Sequence, residues 1–363
     1  MNILKAEKSH KTPDRTPLHQ DLYRSLNLAI LDVCRDLPRS LQIPATLQLM
    51  AGARRPSGGS QEAAWDFCQE FPVALWAVLA PPPHSPAPVA DGNTAALSES
   101  PFSGSPGADN VDYRTAVRTQ AMAFLLHIID DHLSDGQARP DVLLLQLRTA
   151  VWNRFQAGVA PAGVIPANAV PGSGTTTGED RVRAWIDLYF ESVYEPGEPE
   201  DLSAYFELAL KQMAIWSVAP ALLALRRRAG PTGDDFAECA AIRTLLDSVV
   251  LAWRLTDDLE DWRDDARRGL RSALYHLAPE SVREIWNAVG AACKYSDERD
   301  LTGTPEGEAR IAELQSALER ASVPAGARDL AREHLGAAAE SARHLDRPDL
   351  EQILRAAARQ ITE

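Results

Sequence analysis

Trp253-Arg254-Leu255-Thr256-Asp257-Asp258-Leu259-Glu260-Asp261-Trp262-Arg263-Asp264-Asp265 follows directly on the apolar residues Leu245, Val249, Val250 and Leu251. Apolar positions recur there at three- and four-residue spacing with neither Gly nor Pro, which predicts a helix over 240–265. At ~100° per residue, Asp257, Asp261 and Asp265 fall within ~80° of one another on a single face. Carboxylates stacked in this way repel, and the C-terminal end of a helix already carries negative dipole charge. A hard cation relieves both penalties. Mg²⁺ suits the pattern because it takes one or two carboxylates and completes its shell with water and phosphate oxygens.

A second acidic run, Asp130-Asp131-His132-Leu133-Ser134-Asp135, ends another apolar stretch containing Met122, Phe124, Leu125, Leu126, Ile128 and Ile129. Asp131 and Asp135 are four apart and share a face, so they form the favoured metal pair; Asp130 assisted by Ser134 is the alternative. A single run of this kind reads as a solvated helix end. Two of them, each closing an apolar helix, read as opposed walls of one site that holds a diphosphate through bridging metal ions.

The chain has 363 residues, 45% of them apolar and 24% charged, enough for a sizeable packed core. Thirty-seven Lys and Arg against 51 Asp and Glu leave a formal charge of −14. Bulk charge therefore argues against nucleic acid and anionic membrane as partners, so any bound anion needs local cations or metals. Cys34, Cys68, Cys239 and Cys293 are scattered without a metal-binding spacing and read as buried thiols. Met1 to Gln20 carries charges and no apolar signal-peptide core, and reads as a flexible arm; no apolar run is long enough to span a bilayer. A cytoplasmic, non-membrane protein is expected.

Nearly everything else reads as helix. Further helices are expected over Tyr113–Leu133, Arg181–Tyr194, Leu202–Arg228 with a kink near Pro220, Glu306–Ala321, Ala327–Leu345 and Pro348–Ile361. Strand signals are scarce. Residues 81–110 carry seven of the 25 prolines, and 158–178 are rich in Pro, Gly and Thr. Both read as loop insertions within one all-α domain spanning 21–363, not as domain linkers.

The two motifs resemble those of the class I isoprenoid synthases, which include prenyl diphosphate synthases, terpene cyclases and other prenyltransferases. The family's second motif reads aromatic-Gln-hydrophobic-x-Asp-Asp-x-x-Asp, with another Asp four residues on and a short Gly-containing loop. Here it is matched from Trp253 to Asp265 and by Arg267-Arg268-Gly269, with Arg254 in place of Gln. The family's upstream Lys is matched by Lys211. The resemblance covers Tyr113 to Leu277. It implies a helical bundle around an apolar cavity, possible homodimerisation, and Mg²⁺ (about three ions, with Mn²⁺ as an alternative) as cofactor. The implied metal ligands are Asp130, Asp131, Asp135, Asp257, Asp258, Asp261 and Asp265, with Asp131, Asp135, Asp257 and Asp261 central to catalysis.

Lys211, Arg254, Arg267, Arg268, Arg271 and Tyr275 are candidate diphosphate partners, although Arg267 and Arg268 also fit surface ion pairs with Asp264 and Asp265. Phe124, His127, Trp216 and Trp253 are candidate cavity walls for a carbocation, and equally fit plain core; His127 and His132 could take a proton. Chain-elongating members carry Arg-Arg-Gly after the first motif, where this chain has Gly136-Gln137-Ala138-Arg139-Pro140. Their basic second-substrate segment is only echoed by Gly52-Ala53-Arg54-Arg55-Pro56. These departures favour a Mg²⁺-dependent terpene synthase that ionises and cyclises a prenyl diphosphate. The alternatives are a prenyltransferase, using isopentenyl diphosphate or another acceptor, and a non-catalytic helical protein that binds metal or a prenyl diphosphate.

Overall fold

A computed structural model describes residues 28–52, 108–134, 138–160, 178–194, 197–227, 235–293 and 305–361. The described residues are 89% helical and contain no strand. After a helical stretch at 28–36, the elements are α1 (Arg39–Gly52), α2 (Ala108–Ser134), α3 (Val142–Val159), α4 (Gly178–Tyr194) and α5 (Leu202–Gln212). A 3-10 turn (Ala214–Ser217) leads to α6 (Val218–Arg227) and α7 (Asp235–Arg268). Then come α8 (Ala273–Leu277), α9 (Glu280–Cys293), α10 (Pro305–Arg320), α11 (Val323–His344) and α12 (Pro348–Gln360). The expected arm at 1–20 lies outside the described residues, as do 81–107 and 161–177 of the expected insertions.

The 34-residue α7 organises the rest. Its N-terminal half buries Cys239, Ile242, Leu245, Leu246, Val249 and Val250 in a core shared with α2, α3, α4 and α6, around Tyr189, Phe155 and Trp216. Its C-terminal half places Leu255 and Ala266 in a second core built on α8 to α11 around Trp286 and Leu274. The acidic residues of α7 sit where these cores meet. Residues 119–127 of α2 are all buried, the pattern of a helix enclosed on every side.

Gly269 ends α7. Its φ of +72° is open to glycine at no steric cost. The Leu270 N–H donates to the Asp265 carbonyl at 2.9 Å and the Gly269 N–H to Ala266 at 3.1 Å, a Schellman cap. The cap turns the chain back, so that the Ala273 N–H at the start of α8 donates to the Asp258 carboxylate at 2.7 Å. Trp286 fastens the turn from α9, its Nε1–H donating to the Leu270 carbonyl at 3.0 Å.

The expected kink near Pro220 falls elsewhere. The helix breaks at Met213, between α5 and the 3-10 turn, with a bend of 52°. Pro220 is the third residue of α6, in a first turn where a missing N–H costs little. Arg243 of α7 satisfies carbonyls around the break, donating to Leu210 at 2.9 Å and to Ala214 at 3.3 Å. No single helix among the described residues is long and apolar enough to cross a membrane.

A Cβ placed on Gly290 of α9 would lie 2.9 Å from the Gly269 Cα, a backbone atom that cannot swing aside. Gly290→Ala should therefore destabilise the protein by about 1–3 kcal/mol in urea unfolding. Gly336→Ala, in α11 with nothing within 4 Å of the new methyl, should be neutral or stabilising. Equal midpoints for the two variants would contradict this packing.

Candidate active site

His127 lies one helical turn before Asp131 on α2, and Trp253 one turn before Asp257 on α7. Trp216, from the 3-10 turn, sits between them. Its ring centroid is 4.9 Å from that of His127, 5.7 Å from that of Trp253 and 5.7 Å from that of Phe124. One aromatic layer thus ties the two helices together directly beneath their acidic ends. The four side chains read as cavity walls form one contiguous cluster, in which Trp216 is wholly buried and Trp253 half-buried.

The two acidic ends share one electrostatic environment. Burial pushes the Asp131 carboxyl above the ordinary range; Arg254 and His132 oppose this, and the charge of Asp257 from the other helix adds to it. On α7, burial pushes Asp265 up to about 8, helped by Asp258, Asp261 and Asp257 against the pull of Arg254. The expected one-face stack is therefore felt as mutual repulsion. Burial also lowers His127 to about 4, with Arg254 next in effect, so its imidazole is neutral near pH 7; it hydrogen-bonds to the backbone of Gln212 at the helix break.

Each Asp-Asp pair divides its labour. Asp130 is buried, and Arg148 of α3 grips it through Nε on Oδ1 and through Nη2 on Oδ2 at 2.9 Å. The Tyr189 hydroxyl of α4 donates to the same carboxylate at 2.6 Å. Asp258 is also buried and accepts from the Tyr205 hydroxyl of α5 at 2.7 Å and from the Ala273 N–H, with Arg254 Nε at 3.4 Å from Oδ1. Asp130 and Asp258, both read as metal ligands, are thus engaged by protein donors. The half-buried Asp131 and Asp257 occupy the other position of each pair. Ser134 donates to the Asp131 backbone carbonyl at 3.0 Å. Asp135 lies outside the described residues.

Arg254 stands among these acids, its Nε donating to the Tyr205 hydroxyl at 2.7 Å. Burial alone would lower its pKa, but Tyr205, Asp258, Asp131 and Asp257 raise it, so the guanidinium stays charged. The other basic candidates are more dispersed. Lys211 is exposed on the last turn of α5, and Arg268 is exposed on the aspartate face of α7. Arg271 pairs with Glu198 at 3.2 Å and lies 5.3 Å over the Tyr275 ring. Arg267 turns to Asp264 at 3.0 Å and Glu308 of α10 at 2.7 Å. Tyr275 is buried in the second core against Trp286, its hydroxyl accepting from Asn287 at 3.4 Å. The structure does not bring Arg267 or Tyr275 to the acidic cluster.

Among the described residues, no three His, Cys, Asp or Glu side chains close tightly enough around one point to hold a metal unaided. The carboxylates of α7 crowd one another, and burial pushes Asp265 up to about 8. A divalent ion would suit that crowding, its shell completed by water and phosphate oxygens. The braces Arg148, Tyr189 and Tyr205 were not singled out from the sequence as functional. The only local sign is that a buried tyrosine hydroxyl needs a partner.

Two outcomes are expected. Asp265 has a folded pKa of about 8 against an ordinary 3.8. Between those values the folded protein holds a proton that the unfolded chain gives up, so metal-free stability falls as pH rises through this window. Calorimetry in EDTA from about pH 5 to about pH 8 should show a falling Tm that Asp265→Asn flattens; an unchanged slope would contradict the crowding. Arg148→Ala leaves Asp130 buried without its cation and should cost about 3–5 kcal/mol in urea unfolding, a result that a loss under 1 kcal/mol would refute.

No protein-family model matches the sequence, and no curated protein matches it. Solved structures do. A polyprenyl synthetase from Streptomyces coelicolor A3(2) superposes with a TM-score of 0.58 at 15% identity, covering 96% of this chain and 99% of that one. A geranylgeranyl pyrophosphate synthetase from Pyrococcus horikoshii Ot3 gives 0.55 at 12% identity, covering 93% and 98%. A polyprenyl synthase from Caulobacter crescentus CB15, complexed with calcium and isoprenyl diphosphate, gives 0.59 at 15%, covering 94% and 95%. Set beside the helix order and the layer joining α2 to α7, these matches show that the chain has the all-α fold of the class I isoprenoid synthases.

Proposed function

We propose that this protein is a divalent-metal-dependent prenyltransferase, which ionises an allylic prenyl diphosphate and passes the prenyl group to an acceptor. The observation that carries the reading is the position of Asp131 and Asp257, each one turn beyond a shared aromatic layer on a different helix. Bound divalent ions supply Lewis-acid neutralisation of the diphosphate leaving group. Asp131, Asp257, Asp261 and Asp265 are the residues that would hold them, with Asp135 as the further candidate on α2. Arg254, and from the exposed rim Lys211 and Arg268, are the side chains available to phosphate oxygens.

Beneath the carboxylates the chain's own residues protect the reacting carbon. Trp216, Trp253 and Phe124 form a packed aromatic layer there that excludes water. His127, neutral near pH 7, can accept a proton when a cation is quenched.

The solved structures sharing the fold along nearly the whole chain are prenyl synthases, one of them in complex with calcium and isoprenyl diphosphate. They support transfer over the cyclisation favoured from the sequence. Cyclisation is the second reading, carried by the missing Arg-Arg-Gly after the first acidic motif.

Incubation with Mg²⁺ and geranyl, farnesyl or geranylgeranyl diphosphate, with and without isopentenyl diphosphate, separates the two. Transfer requires the second substrate; a hydrocarbon or alcohol formed from one substrate alone would favour cyclisation. Asp131→Ala and Asp257→Ala should each lower diphosphate release on the order of 10²–10³-fold, with helicity by circular dichroism unchanged. Full activity in either variant would refute the assignment.

A further inference from the structure

Where the class I motif has an uncharged Gln, this chain places a guanidinium among its carboxylates. Arg254 lies three residues before Asp257 and seven before Asp261, on the same face of α7. It is held there: Nε donates to the Tyr205 hydroxyl at 2.7 Å and lies 3.4 Å from Asp258 Oδ1, while Tyr205 itself donates to Asp258 at 2.7 Å. Among the described residues, its two terminal nitrogens have no hydrogen-bond partner. Its side chain retains 23% of its exposure.

We propose that Arg254 is a resident cation of the diphosphate site, doing part of the charge neutralisation that a metal ion would otherwise supply. Building on the function proposed above, the inference has two consequences of opposite sign. Without diphosphate, the fixed positive charge repels incoming divalent ions and weakens their binding. With diphosphate present, the free end of the fork donates to phosphate oxygens, and affinity for the anion rises.

A residue that only props up the site would move both constants the same way when removed. Arg254→Gln keeps an amide able to bond Tyr205 and Asp258, so it isolates the charge. Mn²⁺ binding to the full chain, read by electron paramagnetic resonance, should tighten severalfold in Arg254→Gln. Inorganic diphosphate binding at saturating Mn²⁺, read by calorimetry, should weaken about tenfold. Arg254→Lys, which keeps the charge and loses the fork, should leave Mn²⁺ binding within about twofold of wild type and still weaken diphosphate.

Both constants moving together in Arg254→Gln, or neither moving, would overturn the inference. Should Arg254→Gln not fold, the Lys variant decides alone, and weakened Mn²⁺ binding in it would overturn the inference equally. A wild-type protein that binds neither Mn²⁺ nor diphosphate would instead defeat the underlying reading of the site.

Discussion

Negative charge concentrated at the C-terminal ends of two helices is the constraint around which this structure is arranged. A helix end already carries partial negative charge, so aspartates there are doubly disfavoured unless cations answer them. The protein supplies part of the answer itself. Arg148 and Tyr189 hold Asp130, while Arg254, Tyr205 and the Ala273 N–H hold Asp258. Removing either Arg partner would leave a buried carboxylate without its cation, which is far costlier than losing a surface ion pair. Asp131, Asp257, Asp261 and Asp265 are the carboxylates proposed to meet metal and diphosphate.

The fold serves this arrangement through a few supports. α7 joins two hydrophobic cores, so its acidic stretch is anchored on both sides. The Gly269 cap reverses the chain tightly enough for the start of α8 to reach back to Asp258. The break at Met213 inserts Trp216 between α2 and α7, and Arg243 binds carbonyls around that break from the side. A continuous helix through Met213 would not bend there, so the packing beneath the acids depends on a locally unfavourable feature. Interior packing and the half-buried Arg243 hold it in place.

Much of this was legible in the sequence, for definite reasons. Apolar periodicity gave the bounds of several helices to within about five residues, as in α12, expected over 348–361 and found over Pro348–Gln360, whereas α1, α3, α8 and α9 were given no bounds of their own. The four-residue spacing of Asp257, Asp261 and Asp265 gave their shared face because helix geometry fixes it locally. The braces were hidden because Arg148, Tyr189 and Tyr205 come from separate helices and meet the acids only through tertiary packing. For the same reason, Asp130 and Asp131 were equivalent as letters and became distinct once burial turned one toward Arg148. The kink was misplaced to Pro220 because proline is the visible helix breaker, whereas Arg243 accommodates the actual break from a distant segment.

Asp131 and Asp257 are proposed to belong to one site. A double-mutant cycle on Asp131→Asn and Asp257→Asn, reading Mg²⁺-dependent affinity for inorganic diphosphate by calorimetry, tests it most directly. Residues sharing one metal–diphosphate cluster should be strongly non-additive, the double variant binding hardly worse than either single one. Losses that simply add would mean two independent acidic patches, and would contradict the account.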